Sequence, residues 1–281
     1  MTNLQMRVLI AAIYFPVLLG SAFQVRYFAA LVCFIAVFCW YELLRFNREW
    51  NGLRDVIRDS SAILVGCLPP LVYSMNYPLS FGYIFALLVL QIYVIYAICE
   101  EKTYEQMMDI IGRYMLGFVY LTIPLTVLIQ IRTFDGVDRG EVMIWFLLFV
   151  VAAGDTAAYF VGRKWGRRPF FARISPKKTM EGFVGGLAGS VLVGILFSLF
   201  FGGLEGGYVV PPAPLAAVLA FFVGLSASFG DLFESLIKRH YGVKDSGRAM
   251  GGHGGFLDRF DSLIFAGVPL FFYLVLRGGF R

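Results

Sequence analysis

Long apolar runs separated by short polar stretches recur along the whole 281-residue chain. They fall at 6–23, 27–44, 60–75, 79–99, 114–131, 141–161, 182–202, 212–234 and 262–277. Each approaches the about 20 residues that a helix needs to cross hydrocarbon. Backbone in lipid must satisfy its own hydrogen bonds, so runs of this length predict helices. The expected fold is therefore all-α: a polytopic membrane helical bundle of about nine transmembrane helices. The run at 60–75 is short and carries Pro69 and Pro70, which kink a helix and blur its ends. The first run also reads as a signal peptide, with Arg7 ahead of it and Gly20, Ser21 and Ala22 at its end. Either reading leaves the orientation of the other eight unchanged.

Basic residues orient this map. With the amino terminus inside, 19 of the 24 Lys and Arg fall in inner segments and only Arg26, Arg132, Arg139, Arg277 and Arg281 lie outside. That bias is what the positive-inside rule expects, and it turns the two most basic loops, 162–181 and 235–261, toward the cytoplasm. The expected location is a membrane, crossed many times; in a bacterium this is the inner membrane. The chain divides into an amino-terminal set of about five spans, 1–140, and a carboxyl-terminal region, 141–281, that carries the chemistry-bearing motifs.

Composition removes several function classes. The chain is 59% hydrophobic and 15% charged, and no hydrophilic stretch is long enough for a soluble domain. Its net charge of +5 has no basic arm behind it, so nucleic acid is not an expected partner. Anionic headgroups and nucleotide phosphates are. Cys33, Cys39, Cys67 and Cys99 lie singly within or beside spans, without metal-ligand spacing.

The polar residues then concentrate in a few places. At the end of the run 212–234, Asp231, Ser235 and Lys238 fall at i, i+4 and i+7 and share a helix face, with Glu234 beside them. An Asp at mid-bilayer costs roughly 2.5–3.5 kcal/mol, so such residues line wet cavities or bind ligands, or else pair with Lys238. The loop from Gly251 to Asp261 sets four glycines around His253, followed by Asp258 and Asp261 at i, i+3. Glycines let backbone N–H groups approach an anion, and the carboxylates are hard oxygen ligands of the kind Mg²⁺ takes. His253 could donate to a phosphate or protonate a leaving group; it could equally hold the loop's shape.

A second basic loop ends in Ser175-Pro176-Lys177-Lys178-Thr179-Met180-Glu181-Gly182. Lys177 and Lys178 could neutralise a phosphate, while Arg163, Lys164, Arg167 and Arg168 read as topology anchors. Glu181 reads equally as a helix-start residue that satisfies the helix dipole. Asp155 lies inside a span among small residues, which points it to the bundle interior. Glu42, at the end of the second run, reads as interfacial.

These motifs resemble the phosphatidate cytidylyltransferases, or CDP-diacylglycerol synthases. Ser235, Lys238, Arg239, Lys244, Asp245, Gly247, His253, Gly254, Gly255, Asp258, Arg259 and Asp261 occupy that family's carboxyl-terminal signature without a gap. The segment Ser175 to Gly186 is also similar, as is the pattern of Gly154, Asp155, Tyr159 and Gly162. The amino-terminal half matches only in being a bundle of apolar spans. The resemblance implies an enzyme of phospholipid biosynthesis: CTP plus phosphatidate gives CDP-diacylglycerol and pyrophosphate, with Mg²⁺ required and a second cation possible. It further implies a homodimer with a cytoplasm-facing polar cavity, and metal binding by Asp231 and Asp258.

The expected site follows. Asp231, Asp258 and Asp261 are the metal-ligand candidates. Lys178, Ser235 and His253 join Asp231 and Asp258 as catalytic candidates. Ser175, Lys177, Lys178, Lys238, Arg239, Lys244, Arg248, Gly254 and Gly255 are candidates for binding the two substrates. Phosphatidate already carries an anionic oxygen, so the protein needs no nucleophile of its own; it must overcome repulsion and align the reactants. Two other readings compete. A CTP-dependent polyprenol or phytol kinase would transfer the γ-phosphate instead. An organophosphate transporter would use Asp155 and Asp231 as coupling groups, but the two related halves it predicts are not found. The D-G-x2-A-R signature of a CDP-alcohol phosphotransferase does not occur.

Overall fold

A computed structural model describes residues 15–46, 103–134, 140–202, 210–247 and 254–277, with parts of 59–67 and 84–95. Six helices in it are long and apolar enough to cross a membrane: α1 Val25–Arg45, α2 Tyr104–Arg132, α3 Gly140–Trp165, α4 Met180–Phe201, α5 Ala213–His240 and α6 Leu257–Leu276. A short helical segment at 15–21 precedes α1. Among the described residues no strand forms beyond one isolated bridge, Pro169 to Thr179. The all-helical expectation holds. Of the nine runs, those at 6–23, 60–75 and 79–99 lie half or more outside the described residues.

Several helices run past the apolar runs that announce them, because polar caps extend them. Thr103 accepts a hydrogen bond from the Gln106 N–H, so α2 starts a full ten residues before its apolar run. Thr179 does the same for α4 through the Gly182 N–H. Within α2, Phe118–Thr122 forms a π-helical turn. Pro124 follows it and has no N–H to offer the Tyr120 carbonyl, which favours the wider turn.

Small residues let the helices that carry the motifs lie close. On α4, Gly182, Gly186 and Ser190 recur every four residues and meet α3 at Ala158 and Gly154. Ser190 also donates to the Val150 carbonyl at 3.1 Å. Gly194 and Ser190 meet α5 at Ala216, Ala220 and Gly224. Side chains this small allow van der Waals packing in lipid, where apolar burial gives no driving force. The outer faces of α3 and α4 instead expose Phe160, Val184, Leu192, Leu199 and Phe200.

The two ends of the bundle separate by chemistry. At one end, Arg132 pairs with Glu141 at 3.3 Å and donates to the Phe23 carbonyl at 2.9 Å, tying α2, α3 and the segment before α1. The other end gathers the last turn of α1, the start of α2, the α3–α4 loop, the end of α5 and the start of α6. There Arg113 donates to the Phe46 carbonyl at 2.7 Å and lies over the Tyr241 ring. Both of the most basic loops are at this end, as the alternation of spans expects.

Candidate active site

The α3–α4 loop is a folded platform. Phe170 N–H donates to the Lys178 carbonyl at 2.7 Å and Met180 N–H to the Arg168 carbonyl at 2.9 Å, closing the loop on itself. Glu181, in the first turn of α4, accepts from the backbone N–H groups of Arg167 and Arg168 at 3.0 and 3.2 Å. It serves as a loop clasp as well as a helix-start acid. The Phe170 ring stacks on Phe183 of α4, centroids 4.4 Å apart. Arg239, at the end of α5, donates to the Ile174 carbonyl at 3.4 Å. The result presents Lys177 and Lys178 toward α5.

Between this platform, α3, α4 and α5 lies a cavity of about 480 Å³. Asp155, Tyr159 and Arg163 line it from α3, Lys177 and Lys178 from the loop, and Ser228 and Asp231 from α5. Lys178 Nζ lies 2.5 Å from Asp231 Oδ2. Arg163, which sequence reasoning left as a topology anchor, is part of this wall and donates to the Tyr159 hydroxyl at 3.2 Å. A helical offset of eight from Asp155 puts it two turns further along roughly the same face.

Behind Asp231, the carboxylates of Asp231, Glu234 and Asp261 each offer an oxygen, and these atoms lie within 4.8 Å of one another. Gly230 makes the convergence possible. A Cβ there would stand 2.6 Å from the Asp261 carbonyl oxygen and 3.1 Å from Phe265 Cβ, so α6 crosses α5 where no side chain intervenes. Glu234 is fully buried and its Oε1 has no hydrogen-bond partner. Lys238, one turn on, forms an ion pair with Glu234 and another with Asp258 Oδ1 at 2.6 Å.

The three aspartates expected to bind metal lie near one another, with Asp258 sharing Lys238 with Glu234. Asp231 and Asp261 stand together with Glu234, while Asp258 faces Lys238 and the loop before α6. Asp258 Oδ2 accepts from the N–H groups of Ser246 and Gly255 at 2.9 and 2.8 Å and lies 3.0 Å from Ser246 Oγ. Three converging hard carboxylates, one of them on the fully buried Glu234, fit a divalent ion such as Mg²⁺.

The glycine loop differs from expectation in its use. Gly254 has φ +86°, a left-handed conformation, and a Cβ there would lie 2.5 Å from Asp258 Oδ2. The N–H groups of Gly255, Phe256 and Leu257 are all directed at carboxylates, those of Asp258 and Glu42. These donors are therefore taken by the protein's own anions, and the start of α6 is not an open phosphate cradle. Glu42 is also not interfacial: it is 3% exposed and reaches this loop from α1. Its sequence signal was a carboxylate at the end of an apolar run, a weaker one than the carboxylate inside a run that marked Asp155.

The remaining expected residues scatter around this centre. Ser235 is half-buried on α5 beside Glu234, and Lys244 is exposed beyond the helix end. Ser175 sits in a turn, its N–H bonded to the Phe171 carbonyl and its own carbonyl to the Lys178 N–H. Arg248 and His253 lie outside the described residues.

Comparison with known proteins gives the family. Residues 4–277 match the Cytidylyltransferase family. A phosphatidate cytidylyltransferase from Thermotoga maritima is 30% identical over 290 aligned positions that span 100% of both chains. One from Bacillus subtilis is 35% identical over 69% of this chain and 67% of its own. One from Helicobacter pylori is 46% identical over 47% of each. The chain belongs to the cytidylyltransferase family.

Proposed function

We propose that this chain transfers the cytidylyl group of CTP to phosphatidate, releasing pyrophosphate and giving CDP-diacylglycerol for phospholipid synthesis. The observation that carries this reading is one cavity with a basic wall (Arg163, Lys177, Lys178) directly against an acidic set (Asp231, Glu234, Asp261) at the end of a membrane helix. A lipid phosphate and a soluble nucleotide can meet only near such an end. Curated relatives that bear this activity in their names, one matching end to end, support the substrate pair.

Asp231, Glu234 and Asp261 would hold Mg²⁺. When bound, the ion neutralises phosphate charge at the reacting centre and on the departing pyrophosphate. Lys178 binds and orients an anionic phosphate, exchanging its contact with Asp231 for one with substrate. Lys177 and Arg163 extend the positive wall. Lys238 places an ammonium between Glu234 and Asp258, and a second cation held by Asp258 would have to displace it. Arg239 keeps the platform docked on α5. Asp155, which lines the cavity from α3, orders the polar lining.

The wider reading completes the notion of a bilayer enzyme. Nine spans with the amino terminus inside would turn the cavity to the cytoplasm, where CTP is. The region 141–281 would form the catalytic part and 1–140 its support, and two copies would pair as a homodimer. One assay tests the core of this: purified protein in detergent with phosphatidate, Mg²⁺ and CTP labelled at the α- or γ-phosphate. Label from the α-phosphate in the lipid is expected; label from the γ-phosphate would make the protein a lipid kinase, and none in either would remove the reading.

A further inference from the structure

Glu42 and Ser246 stand 204 residues apart in sequence and 2.7 Å apart in space, Ser246 Oγ donating to Glu42 Oε2. The same carboxylate accepts from Leu257 N–H on Oε2 and from Phe256 N–H on Oε1, both at 2.9 Å. Three donors thus converge on one buried group from another helix. The first turn of α6 has no cap from its own N-cap side chain, and Glu42 supplies that cap from α1. A negative charge at a helix start is favoured by the helix dipole, and charge-assisted bonds are the strong ones.

Two glycines of the carboxyl-terminal signature are explained by the same group. A Cβ on Gly247 would lie 2.5 Å from Glu42 Oε1, and one on Gly255 would overlap both Glu42 oxygens. On its apolar side the arrangement is closed by Phe38 of α1 stacked on Phe256, centroids 4.5 Å apart. A continuous chain of contacts then runs inward. Ser246 Oγ reaches Asp258 Oδ2 at 3.0 Å, Asp258 Oδ1 reaches Lys238 at 2.6 Å, and Lys238 pairs with Glu234 in the acidic set.

We propose that Glu42 is a positioning residue for the transfer reaction, fixing the loop before α6 so that Ser246 and Asp258 set Lys238 against Glu234. This rests on the function proposed above. The role requires a carboxylate rather than any polar group of that size. All three partners are donors, and an amide would turn its own NH₂ toward one of them. Without Glu42, two backbone N–H groups are buried without an acceptor and the Ser246 hydroxyl loses one of the two carboxylates that orient it.

The test compares full-length wild type, Glu42→Gln, Ser246→Ala and the double variant, purified in detergent. Three quantities are read per folded molecule: kcat and KM for CTP, the Mg²⁺ concentration giving half-maximal rate, and hydrogen exchange of 254–258 without substrate or metal. Glu42→Gln is expected to lower kcat by about tenfold or more while KM for CTP moves little, to raise the Mg²⁺ requirement, and to speed exchange in 254–258. Ser246→Ala should give a smaller loss of the same kind, and the double variant should be little worse than Glu42→Gln, because linked groups are not additive. Wild-type kcat and exchange in Glu42→Gln, a lower melting temperature alone, or losses that multiply in the double variant would each overturn the proposal. If Glu42→Gln does not fold, a silent Ser246→Ala overturns it and the expected Ser246→Ala signature sustains it. A wild type that puts no α-label into lipid defeats the function proposed above, and the exchange comparison still judges whether Glu42 holds the loop.

Discussion

Lys178 and Asp231 face each other across the cavity with 2.5 Å between Nζ and Oδ2, joining the α3–α4 platform to the end of α5. Both are about a third exposed, so the pair is open to exchange with a ligand rather than locked in the core. Losing Asp231 would release Lys178 to the solvent side of the wall, and losing Lys178 would leave Asp231 with uncompensated charge. The contact ties substrate binding to the acidic set.

Lys178→Ala is therefore expected to lower kcat/KM by roughly 10- to 100-fold, the scale of a lost hydrogen bond to a charged group. Arg167→Ala serves as the comparison. Arg167 contributes its backbone N–H to Glu181, which alanine keeps, and its exposed side chain is absent from the cavity lining. Its effect should stay within about threefold, the range of an exposed charge. Steady-state kinetics with CTP and phosphatidate varied in turn measures both, and equal losses would mean that the loop acts only through its total charge.

The metal assignment makes a graded prediction. Chelation should abolish turnover and Mg²⁺ restore it. Asp231→Asn, Glu234→Gln and Asp261→Asn should each raise the Mg²⁺ concentration for half-maximal rate, by about 10- to 100-fold on the scale of altered metal-site residues. Asp258→Asn acts differently if Lys238 stays with Glu234: it should cut kcat through the loop contacts of Ser246 and Gly255 while shifting the Mg²⁺ requirement less. A Mg²⁺ titration of the four variants separates these cases. An Asp258→Asn requirement as large as that of Asp231→Asn would make Asp258 a direct ligand.

Much of this architecture was readable in the chain, and the unread part has a common physical cause. Six described helices fall where apolar runs of spanning length predict them, since in lipid the backbone has few alternatives. Asp155 and Asp231 announced themselves as charges too costly to leave in an apolar run without a task, Lys178 as part of a basic loop and Lys238 by sharing a helix face with Asp231. Spacing along one helix placed Asp231 and Glu234 side by side. It could not show that Asp261 of α6 comes within 4.8 Å of Asp231 and Glu234 while Asp258 shares Lys238 with Glu234, because that depends on how α6 is rotated where it crosses Gly230. Glu42 was unreadable for the same reason: its partners come from a helix 204 residues away or more. Arg163 gave no further signal because an arginine at a span end is an ordinary anchor, and its place in the cavity lining depends on the platform's fold.

The helix crossing at Gly230 provides a steric test. Alanine would place a methyl 2.6 Å from the Asp261 carbonyl oxygen, which is backbone and cannot swing aside. Over-packing of this kind typically costs about 1–3 kcal/mol, and here relief requires α5 and α6 to move apart. Gly230→Ala should lower the thermal midpoint and cost activity beyond what its stability loss explains, because Asp261 withdraws from Asp231 and Glu234. Gly20→Ala, where none of the described residues lies within 4 Å, is the matched control and should change neither.

At the far end of the bundle, Arg132 offers a contrast between stability and chemistry. Its side chain is almost wholly buried, pairs with Glu141 at 3.3 Å, and donates to the carbonyls of Ala22 and Phe23. Removing one partner of a buried pair costs about 3–5 kcal/mol, since the other charge is left unmatched. Arg132→Ala should therefore unfold far more readily in detergent than wild type. The Arg132→Ala/Glu141→Ala double variant should recover part of that loss by removing the stranded carboxylate. Neither residue lines the cavity or joins the acidic set, so kcat per folded molecule should remain close to wild type in both. A variant that stays folded yet loses kcat would show that this clasp, a full span away from the cavity, governs how the catalytic helices are set.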